Sequence, residues 1–226
     1  DHPSLPATSY RDIRNGDSVE VVLRKVFANS VQALNDTLEA LNLDQYAAAV
    51  EAMINAPRIA FFGLGNAAVV AREAYHKFLR IGLPVFTAED PDLQLLLLNS
   101  QMRRGDLLVT ISYSGESKPM LAAARQAHAL GIGVLAITNF PRSSLAEAAD
   151  LALLTAVFQE HVNGEIGSKR IAQLCVLESL YVNYLVRQGP QVGRRLAVSN
   201  AALNLNKNRR RTLARISHQL SMSSDR

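Results

Sequence analysis

"GDLLVTISYSGESKPM", residues 105–120, changes character at its middle. Residues 107–111 form a short apolar and β-branched run of the kind that makes a buried strand. Ser112, Ser114 and Ser117 then fall around Gly115, and a helix-like stretch follows. Two readings compete for these hydroxyls. Serine at a helix start satisfies free backbone N–H groups, so the loop is a capped turn. Alternatively, hydroxyls and backbone N–H groups at a strand end wrap an anion, as they do in phosphate cradles.

The flanking sequence repeats the same rhythm. Apolar runs at 58–63 ("RIAFFG"), 84–88, 106–112, 133–138 and 151–156 alternate with helical stretches at 66–80, 91–102, 117–130, 144–148 and about 168–187. Short apolar strands separated by helices indicate a parallel sheet buried on both faces. Right-handed crossovers then give an α/β fold, a doubly wound five-stranded sheet flanked by helices in a three-layer sandwich.

Ahead of this rhythm, residues 1–18 read as a linker. They are polar, contain Pro3, Pro6 and Gly16, and lack the pattern of a signal peptide. The chain opens at Asp1, as expected of a processed product or an expressed fragment. Val22, Val26, Val31, Leu34, Leu38 and Leu41 have helical spacing, which predicts a leading helix within 19–43 with Asp17 or Ser18 as its cap. A second helix is expected from Asp44. Residues 44–190 form the main domain, and 191–226 a basic tail, read as solvated or disordered in preference to a basic amphipathic helix.

Composition narrows the function. At 48% hydrophobic and 19% charged residues the chain is a globular protein, and residues 93–98 are too short to span a bilayer. The net charge of +4 is unevenly spread. Residues 190–226 carry eight basic side chains against Asp225, or +7, whereas the rest has 16 basic and 19 acidic ones, or −3. The body is therefore no basic nucleic-acid surface, and any pull on a phosphate backbone would reside in the tail. The lone Cys175 sits in an apolar helical pattern and reads as a buried small hydrophobe. The five histidines are scattered, so no metal site and no cofactor is expected.

Two strand ends carry glycines or hydroxyls, Gly63-Leu64-Gly65-Asn66 and the loop 112–117. Neither is a Walker loop. "GLGNAA" has Ala68 in place of the third glycine of a dinucleotide fingerprint, and no acidic residue closes the second strand. Together the two ends favour the phosphate cradle.

Residues 61–85 ("FFGLGNAAVVAREAYHKFLRIGLPV"), 105–120 and 133–153 ("GVLAITNFPRSSLAEAADLAL") are similar to a sugar isomerase (SIS) domain over about residues 45–188. More narrowly, residues 19–41, "HKFLRIG" (76–82) and "SKRIAQLCVLESLYV" (168–182) resemble the effector domain of bacterial transcriptional regulators of the RpiR, HexR and MurR type. The resemblance implies a phosphosugar held by the serine loop. Ser112, Ser114, Gly115 and Ser117 match that motif, and Gly65 and Asn66 match the first loop. The family often has serine at the place of Ala67, and Ser-Arg where this chain has Lys169-Arg170. It also implies an N-terminal helix-turn-helix domain, for which nothing before Val19 is long enough. The partners implied are a phosphorylated sugar, DNA through that missing domain, and a second copy in a homodimer or dimer of dimers, all in the cytoplasm and away from membranes.

SIS folds also house isomerases that move a proton between sugar carbons. If this chain were one, Glu165 and His76 would be its acid–base candidates, with Glu116 bracing the serine loop. Glu165 and Lys169 are also candidate sugar contacts, although a solvent-facing lysine is the plainer reading of the latter. The favoured expectation is a sensor without catalysis. A third reading makes the basic tail a nucleic-acid contact.

Overall fold

A computed structural model describes residues 13, 14, 16–157 and 167–206. Five parallel strands form one sheet in the order β2-β1-β3-β4-β5: β1 (Ile59–Gly63), β2 (Val85–Phe86), β3 (Leu107–Ile111), β4 (Gly133–Thr138) and β5 (Leu151–Leu154). The helices are α1 (Val19–Ala40), α2 (Leu43–Asn55), α3 (Asn66–Arg80), α4 (Pro91–Gln101), α5 (Lys118–Ala129), α6 (Ser144–Ala148), α7 (Gly167–Gln188) and α8 (Pro190–Asn204).

Strand periodicity divides the core in two. Ile59, Phe61, Leu107, Val109, Ile111, Leu135 and Ile137 face α2, α3 and α7. Ala60, Phe62, Leu108, Val134 and Ala136 face the side that holds Leu98 of α4, Met120 of α5 and Leu145 of α6. Every residue of β1 and β3 is buried, which is why these strands read as unbroken apolar runs rather than alternating ones. Phe78 anchors the first core: its ring stacks on Phe61 at 5.3 Å and meets Tyr181 and Tyr184 edge-on at 5.3 and 5.4 Å.

Several boundaries depart from expectation, each for a local reason. At α1 one of the two expected caps serves: Ser18 accepts from the Val21 N–H, while Asp17 binds Lys25 at 2.8 Å. Asn42, not Asp44, caps α2, its Oδ1 accepting from Gln45 N–H at 2.9 Å; Asp44 lies in the first turn, where a negative charge is favourable. The edge strand β2 keeps only two residues, because past Phe86 the Thr87 hydroxyl donates to Phe61 O at 2.8 Å. β5 stops at Leu154, beyond which the N–H groups of Ala156 and Val157 turn to the side-chain oxygens of Thr37 and Asn139.

The tail expectation fails over residues 190–204, which form α8. Pro190 opens it, a position where a missing N–H costs nothing. Ser199 Oγ donates to Arg80 O at 2.6 Å, Arg80 Nη2 donates to Asn200 Oδ1 at 2.9 Å, and Val192 is buried against the first core. Residues 207–226, with most of the basic charge, lie outside the described residues.

Candidate functional site

Strands β1 and β3 are neighbours, with Gly63 opposite Ile111, yet the chain leaves them in different directions. After β1 it runs through α3 to β2 on one side, and after β3 through α5 to β4 on the other. This is the switch point of a doubly wound sheet, where a crevice opens beyond the strand ends. The N-termini of both helices lie there without a side-chain cap hydrogen bond, although at α3 the Ala67 and Ala68 N–H groups already donate to Leu64 O and Gly65 O.

The crevice is a cavity of about 280 Å³. Leu64, Asn66 and Ala67 line it from the first loop; Ser112, Tyr113, Ser114, Ser117 and Met120 line it from the second. Two of these hydroxyls already accept from the loop backbone. Ser112 Oγ accepts from Gly115 N–H and Ser114 Oγ accepts from Glu116 N–H, both at 3.2 Å. Each therefore keeps its own hydrogen to give to an anion. Ser117 occupies the N-cap position of α5 without spending its hydroxyl on the helix.

The remaining loop residues hold this arrangement. Gly115 has φ +67°, and a Cβ there would collide with the Ser143 side chain and the Thr138 hydroxyl. Its backbone O accepts from Leu145 N–H at 2.9 Å, so Gly115 shapes the loop without lining the cavity. Gly65, at φ +55°, likewise turns the first loop without lining the cavity. Gly63, which the sequence pairs with it, is required for another reason: a Cβ would strike the Ala67 backbone, so glycine lets α3 approach β1. Glu116 faces α6, accepting from Ser144 N–H at 2.8 Å and Ser144 Oγ at 2.7 Å. Those bonds hold its carboxyl below the ordinary glutamate range, and it braces the turn as expected.

Tyr113 is the residue that sequence reasoning passes over, although an aromatic ring between two serines of a polar loop is a signal for a wall. Its OH donates to Val157 O at 3.0 Å, and its ring meets Phe140 edge-on at 5.5 Å. Lys169 places its ammonium 3.6 Å from that ring's centroid, which is not the solvent-facing position of the plainer reading. Burial pushes the Tyr113 phenol up and the Lys169 ammonium down from their ordinary values.

Asn66, Ser112, Ser114 and Ser117 are thus brought to one cavity with Tyr113, whereas Lys169, over the Tyr113 ring, is not among its lining residues. Nor is His76. It lines a separate cavity of about 750 Å³ between α3 and α7, with Arg72, Lys77, Glu178 and Cys175. Glu165 lies outside the described residues. Cys175 is exposed, contrary to its expected burial, because the apolar pattern around it covers more than the sheet-facing side of α7. Among the described residues no group of three or more His, Cys, Asp or Glu side chains is placed to hold a metal.

The SIS domain family model matches residues 52–183. The chain belongs to the SIS domain family. The chain is 32% identical over 195 residues to an uncharacterised HTH-type transcriptional regulator of Caldanaerobacter subterraneus, covering 86% of this chain and 69% of that protein. It is 34% identical over 177 residues to the HTH-type transcriptional regulator HexR of Pseudomonas aeruginosa, covering 78% of this chain and 61% of HexR. The chain spans about two thirds of the length of the HTH-type transcriptional regulators it matches. Among solved structures, NanR of Vibrio vulnificus, complexed with ManNAc-6P, superimposes with a TM-score of 0.76 at 24% identity, over 86% of this chain and 71% of NanR. The sugar isomerase domain of an RpiR transcription factor from Sphaerobacter thermophilus gives 0.72 at 24% identity, over 80% and 98%. A phosphoheptose isomerase from Francisella tularensis gives 0.62 at 19% identity, over 74% and 98%. These structures share the fold: five parallel strands between helical layers.

Proposed function

We propose that this SIS domain is the effector-binding part of a bacterial transcriptional regulator that senses a phosphorylated sugar and thereby controls DNA binding by an attached helix-turn-helix domain, acting on carbohydrate-metabolism genes in the cytoplasm. The observation that carries the reading is the serine cavity itself: three hydroxyls and two uncapped helix N-termini at the sheet's switch point. Such a set of donors suits a phosphate dianion. Asn66, Ser112, Ser114 and Ser117 contact the ligand; Gly65 and Gly115 hold their loops open for it. Regulators as relatives, and the phosphosugar named with NanR, support the same assignment.

A sensor must also pass its state on. Tyr113 is bonded to Val157 O, Val157 N–H donates to Asn139 Oδ1 at 2.8 Å, and the adjoining Ala156 N–H donates to Thr37 Oγ1 of α1. Ala33, Val157 and Ala172 pack against Tyr113 in the same buried cluster. The cavity wall and the leading helix therefore share one set of contacts, and a ligand that prefers one placement of Tyr113 biases α1. α1 and α7 also expose Leu23, Phe27, Val31, Val182 and Val186, a surface suited to a second copy in a homodimer or dimer of dimers.

The second reading is a sugar-phosphate isomerase, favoured by neighbours of that activity. Against it, no carboxylate or imidazole lines the serine cavity among the described residues. Incubation with aldose and ketose phosphates decides. Saturable binding without interconversion supports the sensor, whereas turnover lost in Glu165→Gln or His76→Asn establishes the isomerase.

A further inference from the structure

The basic charge at the end of the chain has no part in the site described above. Between Glu178 and Asp225 the sequence holds no acidic residue, and residues 190–226 carry eight basic side chains against that one aspartate, or +7. The rest of the chain, with 16 basic and 19 acidic side chains, sums to −3. A body of that sign repels a nucleic acid, so any attraction to a phosphate backbone falls on this end.

The fold gives that end a fixed base. α8 buries Val192 in the first core and is tied to the end of α3: Ser199 Oγ donates to Arg80 O at 2.6 Å, and Arg80 Nη2 donates to Asn200 Oδ1 at 2.9 Å. Arg194 and Arg195 stand exposed on α8, with no carboxylate partner among the described residues. The described residues end at Asn206, one position before "KNRRRTLAR" (207–215), in which five of nine side chains are cationic.

Residue types select among polyanions. Seven of the eight cations are arginine, whose planar fork donates two parallel hydrogen bonds to one phosphate. Asn204, Asn206, Asn208 and Thr212 stand among them and add neutral donors of the kind that contact phosphate oxygens. A membrane-surface helix sets Trp or Phe opposite its basic face, and residues 190–226 contain no Trp, Tyr or Phe.

We propose that α8 and residues 207–215 form a contact for the DNA backbone, gripping duplex phosphates without reading sequence, alongside whatever domain reads the bases. The inference goes beyond the sensor reading and takes from it only the nearness of DNA. No phosphosugar enters its test, so failure here leaves the serine cradle untouched.

Fluorescence anisotropy of a labelled random-sequence duplex, titrated with the 226-residue chain between about 50 and 200 mM salt, is the experiment. Binding is expected in the non-specific range, about 10⁻⁴–10⁻⁶ M, and it weakens steeply with salt. Replacing Arg209, Arg210 and Arg211 together by glutamine removes three phosphate contacts and flattens the slope of log affinity against log salt by about 2–3. Arg194→Gln with Arg195→Gln flattens it by about 1–2. Lysine at 209–211 keeps the charge and most of the slope. The proposal is overturned if the chain leaves the duplex unbound at the lowest salt, or if either glutamine variant keeps the wild-type slope. It also falls if phosphatidylserine vesicles displace the duplex at equal anionic charge, since the surface would then read a membrane.

Discussion

Thr37 on α1 and Ala156 just past β5 are joined by a hydrogen bond across 119 residues of sequence, the Ala156 N–H donating to Thr37 Oγ1 at 3.1 Å. Both residues are buried, at 3% and 2% exposure, so water offers neither group an alternative. This bond ties the leading helix to the segment that also receives Tyr113 from the serine loop.

Replacing Thr37 by valine keeps the shape and orphans the Ala156 N–H. The expected cost is about 1–3 kcal/mol in urea unfolding. Thr37→Ser restores the acceptor and recovers most of that loss. Equal stability of the valine and serine variants would show that the bond contributes nothing.

Gly115 and Gly65 both have positive φ but face different surroundings. Alanine at Gly65 meets nothing within 4 Å, so only its backbone, at φ +55° and ψ −123°, opposes it, at about 1–3 kcal/mol. Alanine at Gly115 must also displace Ser143 and Thr138. Gly115→Ala is therefore the more destabilising of the two by thermal or urea unfolding, and it also weakens phosphosugar binding because the loop must shift.

Glu116 makes a pH-dependent contribution with a definite sign. Its bonds from Ser144 lower the carboxyl pKa in the folded state. The stability they supply is fully present above the unfolded-state glutamate value and is lost as pH falls through the lower folded value. Wild type should exceed Glu116→Gln in thermal midpoint at neutral pH, with the gap closing below the ordinary carboxylate range. A gap that widened on acidification would refute the assignment.

Phe78 is the side chain most of the first core depends on, in contact with Phe61, Tyr181 and Tyr184. Phe78→Ala should cost about 3–5 kcal/mol by denaturant titration, from lost burial and the cavity left behind.

The sheet was legible because buried parallel strands are continuous apolar runs, and because glycine and serine stand where those runs end. Boundaries were less so, since they depend on partners distant in sequence. Thr87 shortens β2 by reaching Phe61 O, and Thr37 and Asn139 end β5 by capturing its outgoing N–H groups. α8 was read as tail because its own pattern is weakly apolar. It is held by Arg80, more than a hundred residues earlier. At the site, residue types identified the serines, but the stacking of Lys169 on Tyr113 arises only when α7 returns to the β3 loop. His76 was drawn to the site by its chemistry, and the fold places it in another cavity.

Thermal unfolding against a panel of sugar phosphates and their unphosphorylated parents tests the central claim most directly. A phosphosugar at about 100 times its dissociation constant should add roughly 2.7 kcal/mol of stability, while its parent sugar adds none. The shift should vanish in the Ser112→Ala, Ser114→Ala double variant. An equal shift from the parent sugar, or one that survives in the double variant, would contradict the serine loop as a phosphate cradle.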